Sequence, residues 1–391
     1  MRFREIEREI LRAARRTGTR PYLVGGAVRD ALGGRTTNDL DLALPSGAET
    51  LARELSRRGL GTAFPLSPPE SPVPVWRVAR SGLTIDVARF ENEGGIEEDL
   101  ARRDFTVNAI AREIGRRNLI DPFGGVADVA RRRVRALSGK NLVEDPLRVL
   151  RGYRIAATSG WRIEPRTRRL LAAAAPGLAR VAAERIHDEL ARLLAAPATA
   201  ALRWALRDGV LEGVLGLADG PALRRAITAL PSPRRGQGAS EVLAGRIAIL
   251  FRAAGVGTGR ASRALSAAKF SRAEIRDAGA LLRSLDAVFS AEDPFRALFA
   301  HPGDRRALAR IARAAARTDR ERRRAQALAT ALRRSAPDAA PVDGHDLAAW
   351  LGIRPGPALG RALAEARFRW FAREWRSTEE IRRGLAGIAF D

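Results

Sequence analysis

An α/β head of about a third of the chain, leading an all-helical remainder, is the fold class predicted by this 391-residue sequence. Two patterns lead there. Residues 39–44 (DLDLAL) and 83–89 (LTIDVAR) alternate polar and apolar side chains with the period of two that a half-buried strand needs. Beyond about residue 137 no such alternation is found, and Ala, Leu and Arg recur at helical spacing to the C-terminus.

Taken in order, residues 1–19 read as an amphipathic helix. PYLVGG (21–26) is a short strand ending in a turn, and AVRDALGG (27–34) is a short helix stopped by its glycines. NDLDLAL (38–44) is the next strand and SGAETLARELSRRG (46–59) the next helix. The proline-rich FPLSPPESPVPVW (64–76) is a poor candidate for any regular element. GLTIDVARF (82–90) returns to strand, and RRDFTVNAIARE (102–113) and NLIDPFGG (118–125) continue the mixed pattern. Gly/Pro loops near 176, 231–238 and 336–342 punctuate the helices that follow, with no fixed-period repeat.

Composition narrows the function. The chain has no cysteine, which excludes disulfides and thiolate metal sites. It has no apolar run of membrane-spanning length, and its N-terminus is too charged for a secretory signal, so a cytoplasmic protein without membrane contact is expected. The net charge of +24 points to a polyanion partner, most economically nucleic acid. Lys140 and Lys269 are the only lysines, however, and heavy Arg, Ala, Gly and Pro usage also follows from a GC-rich genome.

Asp39 and Asp41 are two apart on a strand and so project together, while Leu40, Leu42 and Leu44 face the core. Two such carboxylates repel unless a cation neutralises them, and a hard cation such as Mg²⁺ fits that pair. Asp86 leaves its own strand likewise; if the two strands are neighbours, three carboxylates converge, the layout of two-metal phosphoryl transfer. An aspartate on the wet face of a strand is also ordinary. Gly25 and Gly26 sit between strand and helix, where bare N–H groups can approach a phosphate, and Arg29 lies one turn further on. A tight turn with a surface arginine has the same pattern. Neither a P-loop nor a dinucleotide fingerprint is present.

The stretch LVGGAVRDALGG…DLDLALP (23–45) resembles the signature of the class II tRNA nucleotidyltransferase and bacterial poly(A) polymerase family. EEDLARRDFTVNAIA (97–111), DPFGGVADVARRRVRAL (121–137) and EDPLRVLRGYRIAA (144–157) follow in the family's order. VAAERIHDELARLL (181–194) and GHDLAAWLGIRPGPALG (344–360) are also similar to family segments. The resemblance implies a DNA polymerase β-like nucleotidyltransferase head (1–137), a helical neck carrying a templating helix (138–200), and a helical body and tail binding RNA (201–391). It implies that Asp39 and Asp41 hold the catalytic metals, with Asp86 as third carboxylate. Gly25, Gly26 and Arg29 would meet the triphosphate, Arg103 the nucleotide, and Asp104 and Asn108 the ribose or the motif itself.

Asp145, Arg148, Arg151 and Arg154 recur at i+3 and form a stripe along one side of a helix. In the family the first two read the Watson–Crick edge of the incoming base. A carboxylate accepts from the exocyclic amine shared by C and A, and a guanidinium donates to ring acceptors. Asp145-Pro146 is equally a good helix start. The implied activity is transfer of CMP and/or AMP from CTP and ATP to the 3′ end of tRNA, with Mg²⁺ as cofactor. A CC-only or A-only specialist, a poly(A) polymerase and a non-catalytic RNA-binding protein are the alternatives. Many relatives carry a longer flexible segment before the RRDFTVNA motif, tied to switching from CTP to ATP. Here ENEGGIEEDLA (91–101) is short, which favours CC addition over A-only addition. His345-Asp346 reads as a helix start, since a metal phosphohydrolase site needs more histidines; His187 reads as part of a packed amphipathic helix.

Overall fold

The computed structural model describes residues 3–67, 74–90, 94–234, 236–301, 303–334, 340–372, 374–388 and 390. Contacts gather the chain into two compact units, Met1–Val181 and Ala182–Asp391.

The first unit is built on a mixed sheet. Its strands are β1 (Tyr22–Val24), β2 (Asp39–Leu44), β3 (Thr62–Pro65), β4 (Val75–Arg80), β5 (Leu83–Arg89), β6 (Ala111–Glu113) and β7 (Leu119–Ile120). They lie in the order β3-β4-β5-β2-β1-β6-β7, with β2 and β5 parallel and the other neighbours antiparallel. The proline-rich stretch is corrected at both ends: Phe64 and Pro65 belong to β3, and Val75 and Trp76 open β4. Its centre, 68–73, lies outside the described residues. A short parallel pair, β8 (Arg133–Val134) with β9 (Arg162–Ile163), corrects the expectation that strands end at residue 137.

Helices α1 (Phe3–Thr17), α2 (Gly26–Leu32) and α3 (Ala48–Arg57) serve the sheet. Ile6, Ile10, Leu51 and Leu55 are buried where α1 meets α3, and α3 lies against β4 and β5. Leu40, Leu42, Ile85, Val87 and Val78 are all buried, as the alternation requires. On the opposite face a second apolar cluster of Val24, Ala43, Phe90, Leu100, Ala109 and Ala111 covers one end of β2 and leaves Asp39 and Asp41 exposed.

Helices α4 (Gly95–Ala101), α5 (Gly125–Ala130), α6 (Gly139–Glu144), α7 (Leu147–Ser159) and α8 (Pro165–Ala174) complete the unit. Asp121 caps α5 by accepting from the Gly125 and Val126 N–H groups at 2.6 and 2.9 Å. Asp128, with no exposed side-chain surface, accepts from Thr106 Oγ1, Arg133 Nε and Arg135 Nε, each at 2.7 Å. Burial opposes its ionisation, but these donors outweigh it and hold the carboxyl below the usual range. A depressed carboxylate stabilises the fold fully above its unfolded pKa of about 4, and that contribution is lost as pH falls through the lower folded value. We therefore expect Asp128→Ala to cost about 3 kcal/mol near neutral pH and to flatten the acid limb of the stability curve below pH ~4. Urea titrations across pH check this; an unchanged acid limb contradicts the assignment.

The second unit is helical throughout its described residues: α9 (Ala183–Ala195), α10 (Thr199–Arg207), α11 (Val210–Leu215), α12 (Pro221–Thr228), α13 (Ala239–Ala253), α14 (Thr258–Ala267), α15 (Arg272–Ser290), α16 (Pro294–Phe299), α17 (Arg305–Ala315), α18 (Asp319–Arg334), α19 (Gly344–Leu351), α20 (Pro357–Phe371) and α21 (Thr378–Leu385). Helix α13 is buried on all sides from Val242 to Ala253, the mark of a central helix, and α9, α12, α15 and α17 surround it. Its buried Arg246 donates to the carbonyls of Leu194, Ala196 and Pro231, which satisfies the last turn of α9. A separate core of Val342, Leu347, Ala362, Ala366, Ile381 and Leu385 joins α19, α20 and α21. Asp343 caps α19 in a reciprocal box with Asp346, so His345-Asp346 is a helix start. His187 packs edge-on against Phe270 with Nε2 3.3 Å from Glu274. Among the described residues no helix is long and apolar enough to cross a membrane.

Candidate active site

The register of the sheet sets the neighbours of the two aspartates. Asp41 stands opposite Asp86 on β5, and Asp86 stands opposite Arg77 on β4. Laterally paired residues share a face, so Asp39, Asp41, Asp86 and Arg77 form one polar row across three strands. Arg77 grips Asp86 with two bonds, Nε to Oδ1 at 2.7 Å and Nη2 to Oδ2 at 2.8 Å.

On the other side of β2, Val24 lies opposite Asp41, and the chain turns at Gly25. Gly25 has φ +68°, and a Cβ there would lie 3.1 Å from Arg103 Nη1 and 3.2 Å from Asp41 Oδ2. Glycine is favoured here by its backbone angle, and a Cβ would crowd the ends of two charged side chains. The turn, Arg103 and Asp41 therefore converge on one spot.

Asp41 keeps solvent-accessible surface, yet protein surrounds it closely enough for lost hydration to dominate. Desolvation, then Asp86 and Asp39, push its carboxyl above the ordinary carboxylate range, while Arg103 and Arg151 oppose them. The row thus carries negative charge that the protein neutralises only in part. Among the described residues no three His, Asp or Glu side chains gather closely enough to hold an ion alone. A cation here would take one or two carboxylates and complete its shell with water or ligand phosphate, which is how small hard cations are held.

Behind the row runs a chain of charged and amide groups. Arg29, only 11% exposed, bonds both oxygens of Asp30 at 3.1 Å and gives Nη1 to Asn108 Oδ1 at 2.6 Å. Asn108 Nδ2 donates to Asp104 Oδ1 at 2.9 Å, and Arg151 Nη1 reaches Asp104 Oδ2 at 3.3 Å. Burial works against the Asp104 carboxylate, but Arg151, Asn108, the Phe105 N–H and Arg148 hold its carboxyl below the usual range. Arg103 is steadied by Asp99, which accepts from Nε and Nη2 at 3.3 and 3.0 Å. Gly26 lies under Arg29, with its missing Cβ 3.4 Å from Nη2.

The predicted stripe on α7 is present. From Leu147 to Ala157 every residue is buried except Arg148, Arg151 and Arg154, and Asp145 precedes them half-buried. Gly152 lets the helix press on the head, since a Cβ there would lie 2.7 Å from the Phe105 ring. Arg148 Nη1 donates to the Asn141 carbonyl at 3.1 Å, and its Nε lies 3.8 Å from Asp145 Oδ2. Asp145 Oδ1 accepts from the Leu147 N–H at 3.3 Å, a long bond for a helix-starting role. Asn141, buried, donates to the carbonyls of Ala101 and Arg103 and so fixes the backbone that carries Arg103.

Sequence reading missed Arg77, Asp99, Asp30 and Asn141. Asp99 and Asp30 carry a faint signal, being i−4 and i+1 from an arginine already singled out. Arg77 and Asn141 act across strands or loops and carry none.

A sheet of this topology with paired carboxylates at its open face, followed by helices, is a polymerase β-like nucleotidyltransferase head with an all-α remainder. Residues 21–135 match the family described as "Poly A polymerase head domain", and residues 160–223 match "Probable RNA and SrmB-binding site of polymerase A". A CC-adding tRNA nucleotidyltransferase of Geobacter sulfurreducens is 42% identical over 212 residues, 54% of this chain and 48% of that protein. An A-adding tRNA nucleotidyltransferase of Deinococcus radiodurans is 40% identical over 56% of this chain and 47% of its own. The chain spans about half the length of these two relatives. A CCA-adding enzyme of Geobacillus kaustophilus is 31% identical over 90% of this chain and 89% of its own. Among solved structures, the Thermotoga maritima CCA-adding enzyme complexed with tRNA superposes with TM-score 0.71 at 22% identity, covering 97% of this chain and 94% of that one. The Bacillus stearothermophilus CCA-adding enzyme in complex with CTP gives 0.65 at 27% identity, covering 98% and 97%. The chain belongs to the tRNA nucleotidyltransferase and poly(A) polymerase family.

Proposed function

We propose that this protein is a cytoplasmic, template-independent nucleotidyltransferase that adds CMP and/or AMP from CTP and ATP to the 3′ end of tRNA. The observation that carries the reading is the convergence of Asp39 and Asp41, the Gly25 turn and Arg103 beside the α7 stripe. We assign residues 1–137 as the catalytic head, 138–200 as the neck and 201–391 as the RNA-binding body and tail.

Asp39 and Asp41 would hold Mg²⁺, which would supply activation of the 3′-hydroxyl and stabilisation of the leaving pyrophosphate. The bare N–H groups at Gly25–Gly26 and the Arg103 guanidinium bind and orient phosphate oxygens beside the carboxylates. Arg29, Asn108 and Asp104 are bonded to one another behind the turn, which suits them to orienting the motif. Asp145 accepts from the exocyclic amine of C or A while Arg148 donates to a ring acceptor. Arg151 and Arg154 continue the positive stripe along the same side. Asp86, gripped by Arg77, adds its charge to the row.

Arg77 tests the cation reading without catalysis. Removing its charge leaves Asp86 unneutralised beside Asp41, so Arg77→Gln is expected to bind a divalent cation about three- to tenfold more tightly. Titration of nucleotide-free protein with Mn²⁺, followed by electron paramagnetic resonance, reads this directly. Unchanged affinity places Asp86 outside the cation's reach.

The connection before Arg103 favours CC addition over A-only addition. Most of it is helix α4, anchored by the buried Leu100, with Asp99 tied to Arg103, which leaves little chain for a moving lid. Residues 91–93 of that connection lie outside the described residues. The deciding experiment extends a tRNA ending at its discriminator base with CTP, ATP or both. A product stopping after two C additions supports the CC reading, and a full CCA end overturns it. No extension with either nucleotide overturns the whole assignment.

A further inference from the structure

The loop between α2 and β2, residues 33–38, carries one side chain that joins distant parts of the first unit. Helix α2 ends in a turn with two returning bonds. The Gly34 N–H reaches the Ala31 carbonyl at 3.1 Å, and the Arg35 N–H reaches the Asp30 carbonyl at 2.8 Å. Gly34, at φ +70°, is the left-handed residue such a turn needs. The chain doubles back and brings Arg35 beside Asp30, the partner of Arg29.

Arg35 Nη2 donates to Asp30 Oδ1 at 2.6 Å and to Ser159 Oγ at 3.2 Å. Its guanidinium carbon lies 5.6 Å from the centre of the buried Trp161 ring, within the range of a cation–π contact. Ser159 is the last residue of α7, and the Trp161 N–H returns to the Ala156 carbonyl of that helix at 3.0 Å. Burial works against the Asp30 carboxylate, but Arg29 and Arg35 outweigh it and hold the carboxyl below the usual range. Asp30 is thus shared between Arg29, behind the phosphate turn, and Arg35, joined to the end of α7.

A second connection runs from Arg29 through Asn108 and Asp104 to Arg151. Arg29 is therefore tied to α7 at Arg151 and at Ser159, about 12 Å apart along the helix axis. One attachment leaves a rod free to pivot, and two fix its angle. The inner attachment lies beside the close contact of Gly152 with Phe105, which makes it the pivot. Asp145 and Arg148 lie on the other side of that pivot from Ser159, so a swing of one end displaces the other. We propose that Arg35 is a positioning residue for base selection. By clamping Asp30 to the C-terminal end of α7 it fixes the tilt of that helix, and with it the place of Asp145 and Arg148 relative to Arg29. The inference rests on the reading of α7 as the base-selecting helix and adds a determinant at the opposite end of it. Arg35 is 40% exposed, and ion pairs of exposed side chains contribute little to folding, so the role is separable from stability.

The test compares the full chain with Arg35→Gln, Arg35→Lys and Ser159→Ala. Calorimetry with Mg²⁺ present gives the dissociation constants of CTP and UTP, primer extension gives kcat/KM for each, and thermal melting reports the fold. For R35Q the preference for CTP over UTP is expected to fall about tenfold in both measurements, since small misplacements of binding groups are penalised steeply. Its melting temperature should stay within about 2 °C of wild type. R35K is expected to recover the preference to within about twofold, because Nη2 alone serves both Asp30 and Ser159 and an ammonium can do the same. S159A should lower the preference by about threefold, the effect of one hydrogen bond, and R35Q/S159A should be no less selective than R35Q, since both changes cut one connection. R35Q and S159A both keeping the wild-type preference would overturn the proposal. So would a loss that R35K does not recover, or one accompanied by a melting temperature several degrees lower. A wild-type chain that binds CTP and UTP equally removes the templating reading and this proposal with it. A wild-type chain that prefers CTP in calorimetry yet extends a primer with neither CTP nor ATP removes the catalytic reading alone, and the ratio of binding constants then decides the role of Arg35.

Discussion

Replacing Asp39 or Asp41 with alanine is expected to lower nucleotide incorporation by ~10³-fold or more, the rate equivalent of about 4 kcal/mol. The same variants should melt at or above the wild-type temperature. Asp41 is held where lost hydration and the charges of Asp86 and Asp39 disfavour its ionised form, so its removal relieves repulsion within the folded head. A site that opposes its own fold in this way is kept for function rather than stability. Differential scanning calorimetry beside a primer-extension assay separates the two roles. Inactivity with a melting temperature lowered by several degrees marks a structural residue, and full activity removes the pair from the chemistry.

The second large effect concerns base choice. With Asp145 and Arg148 both replaced by alanine, discrimination of CTP against UTP is expected to fall by ~10²-fold, because each hydrogen bond to the correct base is worth about 1–3 kcal/mol. The effect should appear in the ratio of kcat/KM values for the two nucleotides, with thermal stability little changed. Both side chains keep part of their surface open to solvent, and their bonds to the Leu147 N–H and the Asn141 carbonyl are local ones at the start of α7. A double variant that is slower with every nucleotide but equally selective would return Asp145 to the role of helix start.

Much of the head was legible because its strands are buried on one face. Alternation in DLDLAL and LTIDVAR identified β2 and β5 and put Asp39, Asp41 and Asp86 on one side. β3 and β4 escaped notice because prolines interrupt the stretch between them, and β4 breaks the alternation by carrying Val75 and Ala79 on the row of Arg77, and Arg80 on the side of the buried Val78. The stripe on α7 was visible since three arginines at i+3 can only line up on a helix. Their partners were not. Asp104 pairs with Arg151 across 47 residues and Asn108 with Arg29 across 79, distances over which sequence spacing has no meaning. The acids of DPFGGVADVARRRVRAL are structural, Asp121 as a helix cap and Asp128 as a buried anchor for two arginines.

The succession Asp30, Arg29, Asn108, Asp104, Arg151 also bears on how this protein can diverge. A single substitution at an interior link breaks a hydrogen bond made by an enclosed charged or polar neighbour, so a lineage crosses that change at a cost in stability or by altering two positions together. Arg148 acts on Asp104 by its charge, whereas its side chain and that of Asp145 keep part of their surface open at the start of α7. On the function proposed above, drift in the added nucleotide can begin at those two side chains, while the turn and Arg103 assigned to the phosphates change more slowly.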